Sequence, residues 1–372
     1  MNAGHFDCLV VGAGPAGSSA AEALAAAGLS VCLVEKQRLP RRKVCAGGLP
    51  PKTVALLPPD LGGIPRREVS AVRFTHGGTG EFVHRSPSAL MTVVERAAFD
   101  EWLARRAAAA GADLREECGC RALRGDDRGV VADTVAGTVT ARAAVLATGA
   151  CGQVEVPRRI QGRGRVATAL QADVDFDAAG PLAEAVGCDF GMSPCQIAWS
   201  FPGPRTLAVG VLTFELKAHG LMTCLQRQMR RLGFADKDGE VHGGALAVWR
   251  GQRRFSAPGI LLAGDAAGLV NPLTGAGIRR AILSGRLAAR TIVENLNLGR
   301  LPERGFDRAM RRSFSPGFTR ASLLAKAFYA APALWYRLAV TSRRGTSLME
   351  RLLTGRASYD RIFRDMLRES GR

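Results

Sequence analysis

The chain has 372 residues, 47% hydrophobic and 23% charged, with 51 basic against 33 acidic side chains and a net charge of +18. That composition excludes disordered, collagen-like and coiled-coil chains, and the length suits two or three domains. Residues 300–372 hold 16 basic and 6 acidic side chains, so they carry +10 of the excess; this suits an anionic partner or solvated helix faces.

In chain order, Phe6–Val11 (FDCLVV) reads as a buried strand, Pro15–Ala27 as an Ala-rich helix ending at Gly28, and Ser30–Glu35 as a second strand. A loop rich in Pro, Arg and Gly runs from Leu39 to Pro51. Val94–Ala110 reads as a helix closed by Gly111, followed by strands at Gly129–Asp133, Thr138–Thr140 and Ala143–Ala147. From Val166 to Thr213 the alternation predicts an antiparallel sheet, with turns at Gly191 and Gly203-Pro204. A helix over Glu215–Leu232, a strand over Gly259–Ala263, a long helix over Gly277–Leu296 and a basic helical tail over Glu303–Arg372 complete the pattern. The expected fold is α/β with an α+β insertion. A discontinuous Rossmann-like domain (1–70, 95–165, 255–300) receives an antiparallel-sheet substrate domain (71–94, 166–254), and a C-terminal helical region (301–372) follows.

Nine cysteines, an odd number without a C-x-x-C pair, argue against a disulfide framework and for a reducing, cytoplasmic setting. Cys118 and Cys120 lack partners at zinc spacing, so no metal is expected. The first basic residue is Lys36, too late for a signal peptide, and no window of 18 apolar residues is present to span a membrane. His5, His76, His84, His219 and His242 fall in no pattern and read as surface or satisfied residues.

Gly12-Ala-Gly14-Pro-Ala16-Gly17 is G-x-G-x-x-G placed between a strand and a helix, with Glu35 ending the next strand 18 residues later. Gly12 permits the tight turn, Gly14 lets backbone approach a pyrophosphate, and Gly17 lets helix and strand pack closely. The helix N-terminus offers free N–H groups to phosphate. Glu35 can accept a ribose hydroxyl and would repel a 2′-phosphate, which favours FAD or NAD(H) over NADP(H). A second strand ends in Gly264-Asp265 and leads into Asn271-Pro-Leu-Thr-Gly275-Ala-Gly277-Ile278. A carboxylate beside a second glycine-lined helix start suits a flavin's ribityl chain better than NAD alone.

With these motifs the chain resembles FAD-dependent oxidoreductases of the p-hydroxybenzoate hydroxylase type. The stretch Arg41-Arg-Lys43-Val-Cys45-Ala46-Gly-Gly48-Leu-Pro-Pro, and NPLTGAGI followed by AILSGRLAA, resemble the geranylgeranyl reductase family, from about Phe6 to about Asn295. The resemblance implies FAD contacts at Gly12, Gly14, Ala16, Gly17, Glu35, Lys43, Cys45, Ala46, Gly48, Arg96, Ala122, Asp265, Gly275, Gly277 and Ile278. Trp199-Ser-Phe201-Pro202 resembles the family's Y-x-W-x-F-P element, with Ile197 at the Tyr position and Gly210-Val-Leu212 where G-x-G is expected. Thr148-Gly149 replaces the Asp-Gly that helps NADPH-driven hydroxylases.

The expected activity is reduction of C=C bonds in a geranylgeranyl or other polyprenyl chain by hydride from reduced flavin. The alternative is a flavin monooxygenase or quinone-linked dehydrogenase of the same superfamily. Trp199, Phe201 and Phe214 are the expected substrate walls, with Trp249 and Phe255 further candidates that ordinary core packing would equally explain. Cys45 is the candidate catalytic thiol, and the other cysteines read as structural. The electron donor is NAD(P)H, ferredoxin or a quinol. No nucleic-acid partner is expected. Leu323, Leu324, Phe328, Tyr329, Trp335 and Tyr336 interleave with Lys326, Arg337, Arg343 and Arg344, which suits the anionic inner face of a membrane as well as packing onto the domains.

Overall fold

The computed structural model describes residues 4–59, 61–150, 152–160, 165–192, 196–214 and 219–337. They form two compact units. The first holds 4–41, Phe99–Val166 and Leu246–Phe318; the second holds Arg42–Ala98, Ala167–Ala245 and 319–337.

In the first unit the strand His5–Val11 lies between Val31–Val34 and Gly137–Leu146, parallel to both, with Cys8 level with Val31 and Ala143. Ile260–Leu262 extends the sheet parallel on one side and Asp113–Arg115 on the other. These strands read as unbroken apolar runs because both faces are covered, as parallel sheets require. The helix Pro15–Ala26 covers one face and packs on the long helix Ile278–Asn297. Small residues allow the close approach: a Cβ on Gly285 would overlap the Ala16 carbonyl oxygen. The expected strands 138–140 and 143–147 are one strand, Gly137–Leu146, since its parallel pairing with His5–Val11 runs on from Thr140 to Leu146.

In the second unit a seven-stranded sheet runs Glu240–Val248, Arg165–Asp175, Thr206–Thr213, Ile197–Pro202, Ala185–Phe190, Ala71–His76, Thr79–Arg85. It is mixed rather than purely antiparallel, because Ala185–Phe190 pairs parallel with Ala71–His76. Leu221–Arg231 packs on Thr206–Thr213; it is shorter than the expected helix over 215–232, whose residues 215–218 lie outside those described. A three-stranded sheet joins Gly48–Leu49, Met91–Val94 and Arg66–Val69, which draws residues 42–70 into this unit instead of the Rossmann-like one.

The tail does not stand apart as the sequence suggested. Phe306, Met310, Phe314 and Phe318, at i, i+4, i+8 and i+12 of the helix Phe306–Ala330, bury one stripe in the first unit's core. Asp307 accepts hydrogen bonds from the Phe255 N–H (2.8 Å) and the Ser256 hydroxyl (2.9 Å), fixing that register. Farther on, Phe328 packs edge-on against Phe190, and the Tyr336 hydroxyl lies 2.9 and 2.6 Å from the Phe74 and Gly80 carbonyl oxygens. Leu338, Arg343 and Arg344 lie outside the described residues, as do Cys151 and Cys195. Among the described residues no helix is long and apolar enough to cross a membrane, and no His, Cys, Asp and Glu cluster could hold a metal ion.

Candidate FAD and substrate site

The parallel strands of the first unit deliver their C-terminal ends to one edge, the position where doubly wound sheets bind ligands. At the first crossing, Gly12 takes φ +100 and its N–H donates to the Val34 carbonyl at 2.8 Å. A Cβ on Gly12 would stand 2.6 Å from the Ala147 carbonyl oxygen, and one on Gly17 would overlap the Gly12 carbonyl oxygen. Gly14 differs: its Cβ would meet only the Arg41 guanidinium, at 3.6 Å. Gly12 and Gly17 are therefore required by the protein's own packing, while Gly14 keeps room open at the N-terminus of a helix with Pro15 at its first position and no side-chain cap. This is the cradle that a pyrophosphate needs.

Glu35 is buried, and its carboxylate accepts the Ala13 N–H at 3.0 Å and the Gln37 N–H at 3.2 Å. It also pairs with the Arg41 Nε at 3.1 Å, while the Arg41 Nη1 pairs with Asp100 at 3.1 Å. A carboxylate has about four acceptor positions, so capacity for a ribose hydroxyl remains. The motif singled out Glu35 but not Arg41, whose partner Asp100 lies 59 residues on; no local spacing announces that pair. Ala16 is buried against the Cβ position of Gly264, 2.9 Å away, so its side chain is a packing element.

At the second crossing, Gly264 (φ +62) begins a single 3-10 turn, and Asp265 is half-buried on it. A Cβ on Gly277 would stand 3.4 Å from Asp265 Oδ1, so the two predicted residues meet although 12 positions apart. The loop between them is folded by Asn271, which is fully buried and accepts the Leu273 N–H (2.8 Å) and Thr274 N–H (3.1 Å). Gly275 takes φ +68, and Gly277 opens the long helix at Ile278 with no side-chain cap. The Ser284 hydroxyl accepts the Gly264 N–H at 2.9 Å and ties that helix to the strand end. Asn271 and Ser284 were not anticipated; their side chains build the site without facing out of it. Ala122 is buried in Cys120–Asp126, where its carbonyl accepts the Cys120 thiol at 3.3 Å.

In the second unit, Lys43, Cys45 and Ala46 lie half-buried in the loop before Gly47, whose φ is +72. A Cβ on Gly47 would overlap the Val94 carbonyl oxygen, and one on Gly48 would stand 2.6 Å from the Phe201 ring and 3.0 Å from the Met91 sulfur. The predicted loop and the predicted wall Phe201 are thus in contact. Arg96 begins the helix Arg96–Ala109 directly after this sheet. Across the large sheet, Gln171, Gly210, Trp199 and Cys188 stand in one row of register. Gly210 makes room for the Trp199 indole, since a Cβ there would overlap the ring. The Trp199 Nε1 and the Gln171 Oε1 are buried without hydrogen-bond partners among the described residues.

The other candidates are core. Phe214 is buried with its ring 5.5 Å from that of Tyr329. Trp249 and Phe255 form a buried stack with Phe318 in the first unit, at centroid distances of 6.1 and 4.9 Å from Trp249. His76 is neither exposed nor satisfied: its Nε2 is buried without a partner among the described residues, beside the Tyr336 ring. Burial pushes the Cys8, Cys32 and Cys188 thiols up to about 12 and Cys120 to about 11, which keeps them protonated and inert.

An FAD binding domain family matches residues 5–190. The geranylgeranyl diphosphate reductase of Rhodobacter capsulatus is 33% identical over 317 residues, covering 79% of this chain and 77% of that one. The digeranylgeranylglycerophospholipid reductase 1 of Methanopyrus kandleri is 32% identical over 308 residues, covering 78% and 81%. Among solved structures, a geranylgeranyl bacteriochlorophyll reductase-like protein from Thermoplasma acidophilum superposes with a TM-score of 0.74 at 24% identity over 87% of each chain. A flavin-dependent brominase superposes with a TM-score of 0.72 at 21% identity over 99% of each, which shows the shared fold alone. The chain is an FAD-dependent oxidoreductase and belongs to the geranylgeranyl reductase family.

Proposed function

We propose that this enzyme reduces C=C bonds in a geranylgeranyl or longer polyprenyl chain. The observation that carries the reading is the relation to two reductases of such substrates at 32–33% identity over more than three quarters of the chain. FAD, when bound and reduced, supplies a hydride to one alkene carbon.

The protein's own part divides between the units. In the first, Gly12, Gly14 and Gly17 present the helix N-terminus to the pyrophosphate, Ala16 packs that helix, and Glu35 receives the ribose. Arg41 holds Glu35 in place, while Asp265, Gly275, Gly277 and Ile278 receive the ribityl end. Ala122 contributes backbone. In the second unit, Lys43, Cys45, Ala46, Gly48 and Arg96 are FAD contacts by family likeness. Trp199 and Phe201 wall the apolar chain and exclude water. Phe214 supports that wall from the core. The Cys45 thiol holds the proton destined for the second alkene carbon. An enzyme drawing its substrate from a bilayer works at a membrane's inner face, and the exposed Leu323 and Leu334 support that location.

The test is anaerobic. FAD-loaded protein is reduced with dithionite and mixed with geranylgeranyl diphosphate or a prenylated lipid. Loss of the reduced-flavin spectrum with a product two mass units heavier per bond is expected. A reduced enzyme that ignores the alkene and is reoxidised only by oxygen or a quinone would overturn the reading in favour of the monooxygenase or dehydrogenase alternative. Cys45→Ala is expected to slow the alkene step while retaining FAD.

A further inference from the structure

The large sheet of the second unit carries two polar atoms that its own fold leaves unpaired. Gln171, Gly210, Trp199 and Cys188 stand side by side on four neighbouring strands, in one row of register and on one face. All of them belong to the second unit. The Trp199 Nε1 and the Gln171 Oε1 are buried, and neither has a hydrogen-bond partner among the described residues. Gln171 is only 5% exposed. Buried polar atoms are nearly always paired, because an unmade bond costs the full loss of hydration. Two such atoms in one row point to a shared partner.

The chemistry of each atom is fixed. An indole N–H only donates. The Gln171 amide is oriented by its neighbour: its Nε2 donates to Asp173 Oδ1 at 2.8 Å, and a carboxylate only accepts, so the amide oxygen is the end left over. Asp173 is itself held by Arg42 Nη1 at 3.3 Å. The spacing agrees. Strands two apart hold the Gln171 and Trp199 backbones about 10 Å from each other. The Trp199 ring closes part of that distance by lying over Gly210, where a Cβ would overlap Cε2, the ring carbon bonded to Nε1. The remainder is about one strand spacing, roughly 5 Å, near the span of one oxygen hydrogen-bonded on both sides.

An atom that accepts from an N–H and donates to a carbonyl oxygen is a hydroxyl oxygen. An ether, ester or fully ionised phosphate oxygen only accepts, and would leave Gln171 unpaired. The row itself is neutral, since burial pushes the Cys188 thiol up to about 12, and Asp173 alongside disfavours an anion. We propose that Gln171 and Trp199 bind the free hydroxyl of an isoprenoid alcohol and select it over the corresponding ether or diphosphate. The oxygen enters as the indole tilts off Gly210, which has no side chain to oppose it. This inference rests on the polyprenyl reading of the site.

The test measures binding separately from reduction. Geranylgeraniol, its methyl ether and geranylgeranyl diphosphate are titrated by calorimetry into oxidised, FAD-loaded enzyme, and each is then offered to the dithionite-reduced enzyme. The alcohol is expected to bind at least about tenfold more tightly than the ether. Gln171→Met removes the acceptor at similar length, and Trp199→Phe removes the donor while keeping a ring. In each variant the preference should fall to about twofold or less, with flavin absorbance unchanged. A preference that survives both variants arises from size and overturns the proposal, as does tighter binding of the diphosphate. Equal binding of alcohol and ether by the wild type, with both reduced, overturns this inference alone. The expected preference without reduction of any of the three supports the hydroxyl pair and overturns the reductase reading. Failure of all three to bind overturns both.

Discussion

The two units present their candidate sites in different materials. In the first, the surface is backbone: glycines at two strand ends, two uncapped helix starts whose flanking backbone is tied down by Asn271 and Ser284, and a Glu35 carboxylate held by Arg41. In the second it is side chain: Trp199 lying on Gly210 and Phe201 lying on Gly48. A backbone site binds whatever carries phosphates and hydroxyls in a fixed geometry, so it tolerates few substitutions and serves one cofactor. A side-chain site is shaped by volumes that can change one at a time, so it can vary in substrate without disturbing the flavin. The comparison predicts that changes at the first unit's glycine cradle alter cofactor content and changes at the second unit's Trp199 and Gly210 alter selectivity.

The sharpest way to break that division is at the fingerprint. Gly17→Ala forces backbone apart, because its Cβ would overlap the Gly12 carbonyl oxygen, and overpacking of this kind costs about 3 kcal/mol. Gly14→Ala meets only a guanidinium end at 3.6 Å. Both variants are expected to lose FAD, read as the flavin-to-protein absorbance ratio, but only Gly17→Ala should lower the melting temperature markedly. Equal destabilisation by both would mean that Gly14 is also a packing glycine.

A comparable loss of about 3 kcal/mol is expected for Arg41→Ala, since removing one partner strands the buried carboxylates of Glu35 and Asp100 with less compensation. Arg41→Lys should restore little, because a single ammonium cannot reproduce the two-sided fork. Denaturant midpoints and FAD content check both. Retained stability with lost FAD would make Arg41 a ligand contact rather than a brace.

On the other side of the comparison, Gly210→Ala pushes against the Trp199 ring, a movable side chain, at about 2 kcal/mol. FAD content should stay at the wild-type level, while the ratio of rates on short and long prenyl substrates changes. An unchanged ratio would remove Trp199 from the substrate wall.

The same contrast governs what could be read from sequence. The β-α-β start was legible because the turn demands particular residues at fixed spacing, and Asp265 with Gly277 was legible because both lie beside a recognisable strand end. Arg41 was not, since its role depends on Asp100 being brought in by a helix 59 residues later. The substrate sheet was legible only where alternation was long. Ala185–Phe190 (AVGCDF) is short and carries a glycine, and its parallel partner Ala71–His76 is distant in sequence, so neither declared itself as a strand. Trp249 and Phe255 stood open between two readings: aromatic composition alone does not separate a substrate wall from a core stack, and the register of the helix from Phe306 decided for the stack.

The smallest effect concerns the tail's attachment to the second unit. The Tyr336 hydroxyl reaches the Phe74 and Gly80 carbonyls, and one hydroxyl hydrogen satisfies one of them at a time. Tyr336→Phe should therefore cost about 1 kcal/mol near neutral pH, with FAD content unchanged. Burial, reinforced by Asp189 and Glu81, pushes this phenol from 10.0 up to about 12, so folding favours its neutral form. The group's contribution is then fully present below pH 10 and is lost as pH rises toward 12, because the unfolded chain ionises first. The stability curves of wild type and Tyr336→Phe should accordingly approach each other across that window. A constant gap through pH 12 would show that the hydroxyl is solvated, and that Phe328 against Phe190 holds the tail without it.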